Sequence, residues 1–351
     1  MSGTARGWSL AAGLTVAGAV AVWLATASLN NYLLTLIAFA GINVILAVSL
    51  TLANGLTGLF SLGHPAFMMV GGYVAAILTF PASRKGFMLP DLPDWLAAQQ
   101  WPLLPALLAG GAAAGIAAVI VGFPVLRLRG HYLAVATLGL IFILRAVVNN
   151  LDGYTRGALG LSGIPRLTDL WWVYGWAVAT IFVCWRVKQS SLGRTMMAMR
   201  ENEMAAACMG VPLARTRLLA FAIGAILAGI AGGLWAHLVT NLTPTSLGVF
   251  LAFQIVVMIV LGGQGSITGA AVAALGLSAI ANLLRPVEQT TGLYGLTQIV
   301  VALVLIGVLI FRSQGLFGSR EPAFLQGKAV PSLPERQPAT PDNTDPQRGS
   351  T

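Results

Sequence analysis

Between Arg6 and Arg84 the chain carries no Lys, Arg, Asp or Glu. A helix crosses a bilayer with about 20 consecutive apolar residues, so this run alone holds about three spans. Residues 33–53 are apolar on every side rather than at alternate positions. That pattern predicts helices, which satisfy their own backbone, and argues against the strands of a membrane barrel. Continuing along the chain, the apolar runs predict spans at 8–28, 32–53, 64–80, 103–123, 132–149, 170–187, 218–238, 247–261, 267–284 and 293–311, an all-α polytopic bundle of about ten transmembrane helices.

Composition agrees: 57% of the residues are hydrophobic and 9% charged, with a mean hydropathy of +0.81, which argues against a water-soluble enzyme. The net charge of +9 is better read as topology than as a nucleic-acid footprint, because cytoplasmic loops retain Lys and Arg. An N-terminus inside places 14 of the 20 basic residues in the cytoplasm, among them Arg127, Arg186, Lys188, Arg194, Arg200, Arg215 and Arg217. Arg84, Lys85, Arg156, Arg166 and Arg285 then lie outside. The first span has the look of a signal peptide ending at Ala25-Thr26-Ala27-Ser28, but the next span follows at once and a signal anchor suffices. Residues 1–317 are expected to form the transmembrane domain. Residues 318–351, with Pro322, Pro331, Pro334, Pro338, Pro341 and Pro346, read as a disordered cytoplasmic tail. Cys184 and Cys208 are too few for a disulfide framework and read as free thiols.

No Asp or Glu lies within a predicted span, which weighs against an ion-coupled carrier. A built-in ATPase needs a phosphate loop ending Gly-Lys-Ser/Thr, yet Lys85, Lys188 and Lys328 are followed by Gly86, Gln189 and Ala329. With only His64, His131 and His237, no metal-ligand spacing supports a membrane-embedded enzyme. Energy comes from another chain, or movement is passive through a self-sufficient carrier or channel.

The long polar segment 188–217 is where another chain could push. Good helix formers run from Leu192 to Met209, and Gly210-Val211-Pro212 ends them, since Gly accepts the left-handed cap and Pro cannot continue. One short helix is expected. Leu192, Met196 and Met199 form one apolar line, Met197, Met204 and Cys208 another, with Arg194, Arg200, Glu201 and Glu203 between. Two lines suit a helix wedged between two bodies, and Met gives deformable contact. An amphipathic loop helix resting on its own bundle or on lipid headgroups fits the composition equally.

This segment carries a resemblance. Ser191-Leu192-Gly193-Arg194, Ala198-Met199-Arg200-Glu201-Asn202-Glu203-Met204-Ala205-Ala206 and Met209-Gly210-Val211 resemble the coupling loop of the LivM-type permease subunits of branched-chain amino acid ABC importers. Gly55-Leu56-Thr57-Gly58-Leu59-Phe60-Ser61-Leu62-Gly63-His64, Leu126-Arg127-Leu128-Arg129-Gly130-His131-Tyr132-Leu133-Ala134 with Thr137-Leu138-Gly139, and Val260-Leu261-Gly262-Gly263-Gln264-Gly265-Ser266 resemble further blocks of that family. Pro65, His131 and Gln264 depart from its pattern, and urea or short-chain amide importers use similar subunits. The resemblance implies a bacterial inner-membrane subunit with both termini cytoplasmic, catalysing nothing itself and holding no cofactor. It implies as partners a homologous permease subunit, two cytoplasmic ATP-binding subunits and a periplasmic substrate-binding protein.

Glu201 and Glu203 are then candidate docking contacts for an ATPase subunit, with a solvated helix face as the bland alternative. Arg194 and Arg200 would pair with acidic partner residues or simply follow the cytoplasmic charge bias. Gly55, Thr57, Gly58, Ser61 and Gly63 before His64 form either a re-entrant pore-lining turn or a plain connection, with hydroxyls to meet freed carbonyls. Gly262, Gly263 and Gly265 raise the same pair of readings in the second half. Arg145 either snorkels or presents a charge to a substrate carboxylate. Asn43, Gln254, His237 and Gln298 read as interhelical hydrogen-bonding groups. Gly111 with Gly115 and Gly229 with Gly233 have the spacing for close helix packing. The outer loops 81–101 and 151–169, with Asp91, Asp94, Asp152 and Asp169 among their charges, would orient a binding protein or be ordinary solvated loops.

Overall fold

A computed structural model of the protein describes residues 2–128, 130–293, 295–312 and 314–318. The tail expected from residue 318 onward lies, apart from Gly318, outside the described residues, as does Arg129. Helices stand at each predicted position. α1 is Ser2–Ser28 and α2 is Asn31–Leu50, which passes without a break into a π-helical turn, Thr51–Leu56. After the turn come α3 (His64–Thr79) and the short α4 (Ala82–Met88) and α5 (Asp94–Ala97), then α6 (Leu103–Val125), α7 (His131–Asn150) and α8 (Asp152–Thr155). The two-residue β1 (Leu161–Ser162) precedes α9 (Leu170–Gln189), α10 (Ser191–Glu201), α11 (Glu203–Cys208) and α12 (Leu213–Val239). β2 (Asn241–Leu242), α13 (Val249–Gly262), α14 (Ile267–Thr291) and α15 (Leu296–Phe311) complete the described chain.

The expectation of about ten spans is not met by helix length. Among the described residues six helices are long and apolar enough to cross a bilayer: Asn31–Leu56, Leu103–Val125, His131–Asn150, Leu170–Gln189, Leu213–Val239 and Ile267–Thr291. α3 and α4 pass that test together but are bent by 120°, giving up to seven, while Thr15–Ser28, Val249–Gly262 and Leu296–Phe311 are apolar and shorter. A helix of 16 residues such as α15 rises about 24 Å, less than a hydrocarbon core of about 30 Å. The protein is an all-α, multi-pass membrane bundle. α14 also runs beyond the expected end at residue 284 and takes in Glu288, whose Oε1 accepts from Thr297 N at 2.7 Å.

The core is α12 laid against α3 and α6. Glycines make the approach possible: a Cβ on Gly71 would lie 2.3 Å from Gly229 Cα, and one on Gly110 would lie 2.6 Å from Gly71 O. Lipid supplies no hydrophobic drive between helices, so backbone proximity and dispersion do the packing. α2 lies against α14, α9 and α12. The far sides of α7, α14 and α15 expose Val135, Phe142, Ile143, Leu283, Leu303 and Ile310, the apolar surface expected to face lipid.

At the end of the bundle where α3 and α12 finish, β1 pairs antiparallel with β2 through Leu161↔Leu242 and Ser162↔Asn241. Tyr73 Oη donates to Leu242 O at 3.0 Å. Lys85 is fully buried, and its ammonium donates to the carbonyls of Leu78, Leu96 and Gln99 at 3.4, 3.1 and 2.5 Å. That set closes the hairpin between α3 and α6.

Candidate functional site

The single helix expected after residue 191 is two. Asn202 is extended (φ −154, ψ 108), and its side chain accepts from Ala205 N at 3.0 Å. Asn serves better as an N-cap than as an interior residue, so it ends α10 and starts α11. Ser190 caps α10 by accepting from Gly193 N at 3.3 Å. The far end is as expected: Gly210 has φ +82, with Gly210 N donating to Ala207 O and Val211 N to Ala206 O.

The two apolar lines part company. Met196 and Met199 are buried in the bundle and Leu192 partly so. Met197 is half-buried, while Met204, Cys208 and Met209 are exposed on α11 and its cap. Arg194, Glu201 and Gly210 are exposed beside them. One body gripping this segment is therefore the bundle itself.

Arg200 is turned inward rather than outward. Its Nη1 donates to Gly55 O at 2.7 Å and to Gln264 O at 3.2 Å. Lys188 Nζ donates to Gly265 O at 2.6 Å. The two glycine-rich breaks, distant in sequence, are in direct contact: a Cβ on Gly55 would lie 2.8 Å from Gly265 N. Gly263 (φ +108) and Gly265 (φ +96) have backbones that side-chain-bearing residues rarely adopt. The chain after α15 closes over the same turn, with Leu316 N donating to Leu261 O at 2.9 Å and Phe317 N to Gly262 O at 3.1 Å.

The first break is folded in, not a plain exposed link. Residues 55–57 and 61–64 are buried. Asn54 Nδ2 donates to Ser61 O and its Oδ1 accepts from Ser61 N, at 3.0 and 3.1 Å, closing the turn on itself. Thr57 Oγ1 donates to Ala53 O at 2.5 Å, so that hydroxyl meets a freed carbonyl. Ser61 Oγ instead accepts from Gly63 N at 3.3 Å. Gly58 has φ +72, and a Cβ there would lie 3.2 Å from Arg200 Cγ. His64 is buried at the start of α3 with Nε2 3.2 Å from Ser49 Oγ.

Glu203 is not a free docking charge. Its carboxylate lies 2.7 Å from Arg217 Nη2 and ties α11 to α12. Between this pair, Arg200, Met199 and the turn at Thr57–Phe60 lies a cavity of about 240 Å³. Thr137, part of a block that resembles the family, orders the turn by accepting from Leu62 N at 3.0 Å, whereas Asn54 carried no sequence signal beyond being a polar residue beside a glycine. Among the described residues no three His, Cys, Asp or Glu side chains gather as a metal set.

Two rigid glycine turns are thus clamped by cations from a segment whose other face is exposed. The family model described as "Branched-chain amino acid transport system / permease component" matches residues 32–311, which include every one of these residues up to the end of α15. The chain belongs to this family. The high-affinity branched-chain amino acid transport permease LivM of Escherichia coli is 31% identical over 315 residues, covering 80% of this chain and 69% of that protein. The corresponding LivH of Salmonella typhimurium is 24% identical over 303 residues, covering 79% and 91%. The autoinducer 2 import permease LsrC of Klebsiella pneumoniae is 29% identical over 190 residues, covering 50% and 54%. No solved structure matches the chain. Both clamped turns and α10–α11 of this permease lie within the matched region.

Proposed function

We propose that the chain is the membrane-spanning permease subunit of an ATP-binding cassette importer for branched-chain amino acids. It sits in a bacterial inner membrane with both termini in the cytoplasm, beside a homologous permease subunit. Two ATP-hydrolysing subunits dock on its inner side, and a periplasmic binding protein delivers the ligand. Residues 1–317 are the permease domain and 318–351 a cytoplasmic extension. The likeness to the branched-chain amino acid transport permeases LivM and LivH favours amino acids over urea or amides as cargo.

The observation that carries this reading is the pair of bonds from Arg200 to Gly55 O and Gln264 O. Exposed Arg194, Glu201, Met204 and Met209 offer an ATPase subunit a mixed charged and apolar surface, on which charge sets register and Met adapts. Met196 and Met199 root the same segment in the bundle. When the ATPases close on nucleotide, α10 moves as a lever. Arg200 and Lys188 carry that movement to the Gly55–Gly63 and Gly262–Gly265 turns, which form the inner gate. The chain supplies the passage and the lever, and ATP chemistry stays with its neighbours.

The test is uptake of labelled leucine by the four-component membrane assembly in vesicles with ATP and a loaded binding protein. Leucine accumulation that requires ATP and the cytoplasmic subunits is the expected result. Uptake by this chain alone would point to a carrier or channel instead.

A further inference from the structure

At the ends of α2 and α9 remote from the clamped turns, the bundle holds a cleft of about 490 Å³, within the range of roughly 300–1,000 Å³ usual for small-molecule sites. Thr35, Arg166, Thr168 and Asp169 form its polar side. Ala38, Leu170 and Leu238, all buried in the bundle, form an apolar wall.

Three features of the polar side are unusual together. Arg166 Nη2 donates to Thr35 Oγ1 at 2.9 Å, which fixes the guanidinium against α2 and leaves its other N–H groups open. Asp169 stands at the N-cap position of α9, yet its carboxylate caps nothing. Among the described residues neither charge belongs to an ion pair, although both line one cleft. Thr168 is 1% exposed, and its hydroxyl oxygen has no hydrogen-bond partner among the described residues. Buried polar groups are rarely left unmet, so the hydroxyl itself points to an absent partner.

We propose that this cleft receives a zwitterionic α-amino acid with an apolar side chain. The inference rests on the import reading, which places this end of the bundle on the periplasmic side. The ligand carboxylate takes the open N–H groups of Arg166 and the Thr168 hydroxyl. Its ammonium faces Asp169, and its side chain lies on Ala38, Leu170 and Leu238. Two opposite charges at the exposed rim of one cleft suit a zwitterion: a simple anion would meet Asp169, and a neutral amide would pair with neither charge.

The experiment uses the whole assembly in intact cells, with Cys208→Ser and a reporter cysteine at the cleft edge, Asn31→Cys, or Thr26→Cys as a second reporter. A membrane-impermeant thiol reagent labels it. At leucine ten times its Kd, labelling should slow about tenfold, because only about a tenth of the sites stay empty. L-leucinamide, lacking the carboxylate, and 4-methylpentanoate, lacking the ammonium, should give no protection, and Arg166→Gln should abolish that by leucine. Equal protection by all three compounds, or by none with either reporter, overturns the proposal. So does loss of ATPase stimulation by the binding protein in Arg166→Gln and Asp169→Asn, which would make these residues a docking contact. Leucine uptake by the unmutated assembly is scored separately and tests the transport reading alone.

Discussion

Arg200 Nη1 lies 2.7 Å from the carbonyl oxygen of Gly55, a residue on another helix and 145 positions away. The same nitrogen reaches Gln264 O, so one guanidinium holds both turns. Hydrogen bonds to a charged donor contribute about 1.5–3 kcal/mol each, and Lys188 adds a third at Gly265 O. Together they tie the segment from Lys188 to Arg200 to both glycine-rich turns.

Arg200→Ala removes two of the three bonds and should uncouple ATP hydrolysis from uptake. We expect leucine transport to fall about tenfold or more, the equivalent of at least 1.4 kcal/mol, while the protein still inserts and its ATPase partners still turn over. Arg200→Lys keeps a charge but replaces the planar guanidinium with an ammonium on a shorter arm, and should be intermediate. Parallel uptake and phosphate-release measurements on the reconstituted assembly check this. Unchanged stoichiometry would remove Arg200 from the lever.

Gly55→Ala tests the contact between the turns directly. The added methyl would sit 2.7 Å from Thr51 Cγ2 and 2.8 Å from Gly265 N, and the backbone atom cannot swing away. Overpacking of this kind costs about 1–3 kcal/mol. We expect the turns to be forced apart, with leucine leaking through vesicles without ATP. Gly175→Ala, where a Cβ meets nothing, should leave the membrane sealed.

The bundle was legible from the chain because apolar runs report burial in lipid or protein wherever they occur. Span counting was less so: α13 and α15 are apolar but short, and hydropathy alone does not reveal where α3 bends into α4. Gly210 announced the end of α11 because a left-handed cap has few solutions. The break at Asn202 was hidden inside good helix formers. The two glycine-rich turns were visible as breaks, but their meeting was not, since it depends on how α2 and α13–α14 pack. Arg200 and Glu203 were read as outward charges because a sequence shows a charge without its partner. The fold turned Arg200 to Gly55 and Glu203 to Arg217.

Lys85→Met should loosen the hairpin that joins α3 to α6. The buried ammonium meets three carbonyls, and methionine of similar length would leave all three without that donor. Each unmet buried acceptor costs about 1–3 kcal/mol. We expect a lower melting temperature in detergent and faster protease cleavage within 86–101. Lys85→Arg, which keeps the donors but is bulkier, should be closer to the unmutated protein.

Glu201 and Glu203 should separate docking from internal bracing, although they lie two positions apart. Glu201 is exposed on the last turn of α10, so Glu201→Lys should weaken attachment of the ATPase subunit and leave the melting temperature of this chain unchanged. Glu203 is braced by Arg217. Partly exposed pairs contribute about 1 kcal/mol or less, so Glu203→Lys should lower the melting temperature slightly by setting two cations together, and the exchange Glu203→Arg with Arg217→Glu should restore it. Co-purification of the ATPase subunit, read beside thermal melts of each variant, distinguishes the two roles. If both single variants lose the ATPase equally and the exchange rescues neither stability nor assembly, Glu203 faces the partner after all.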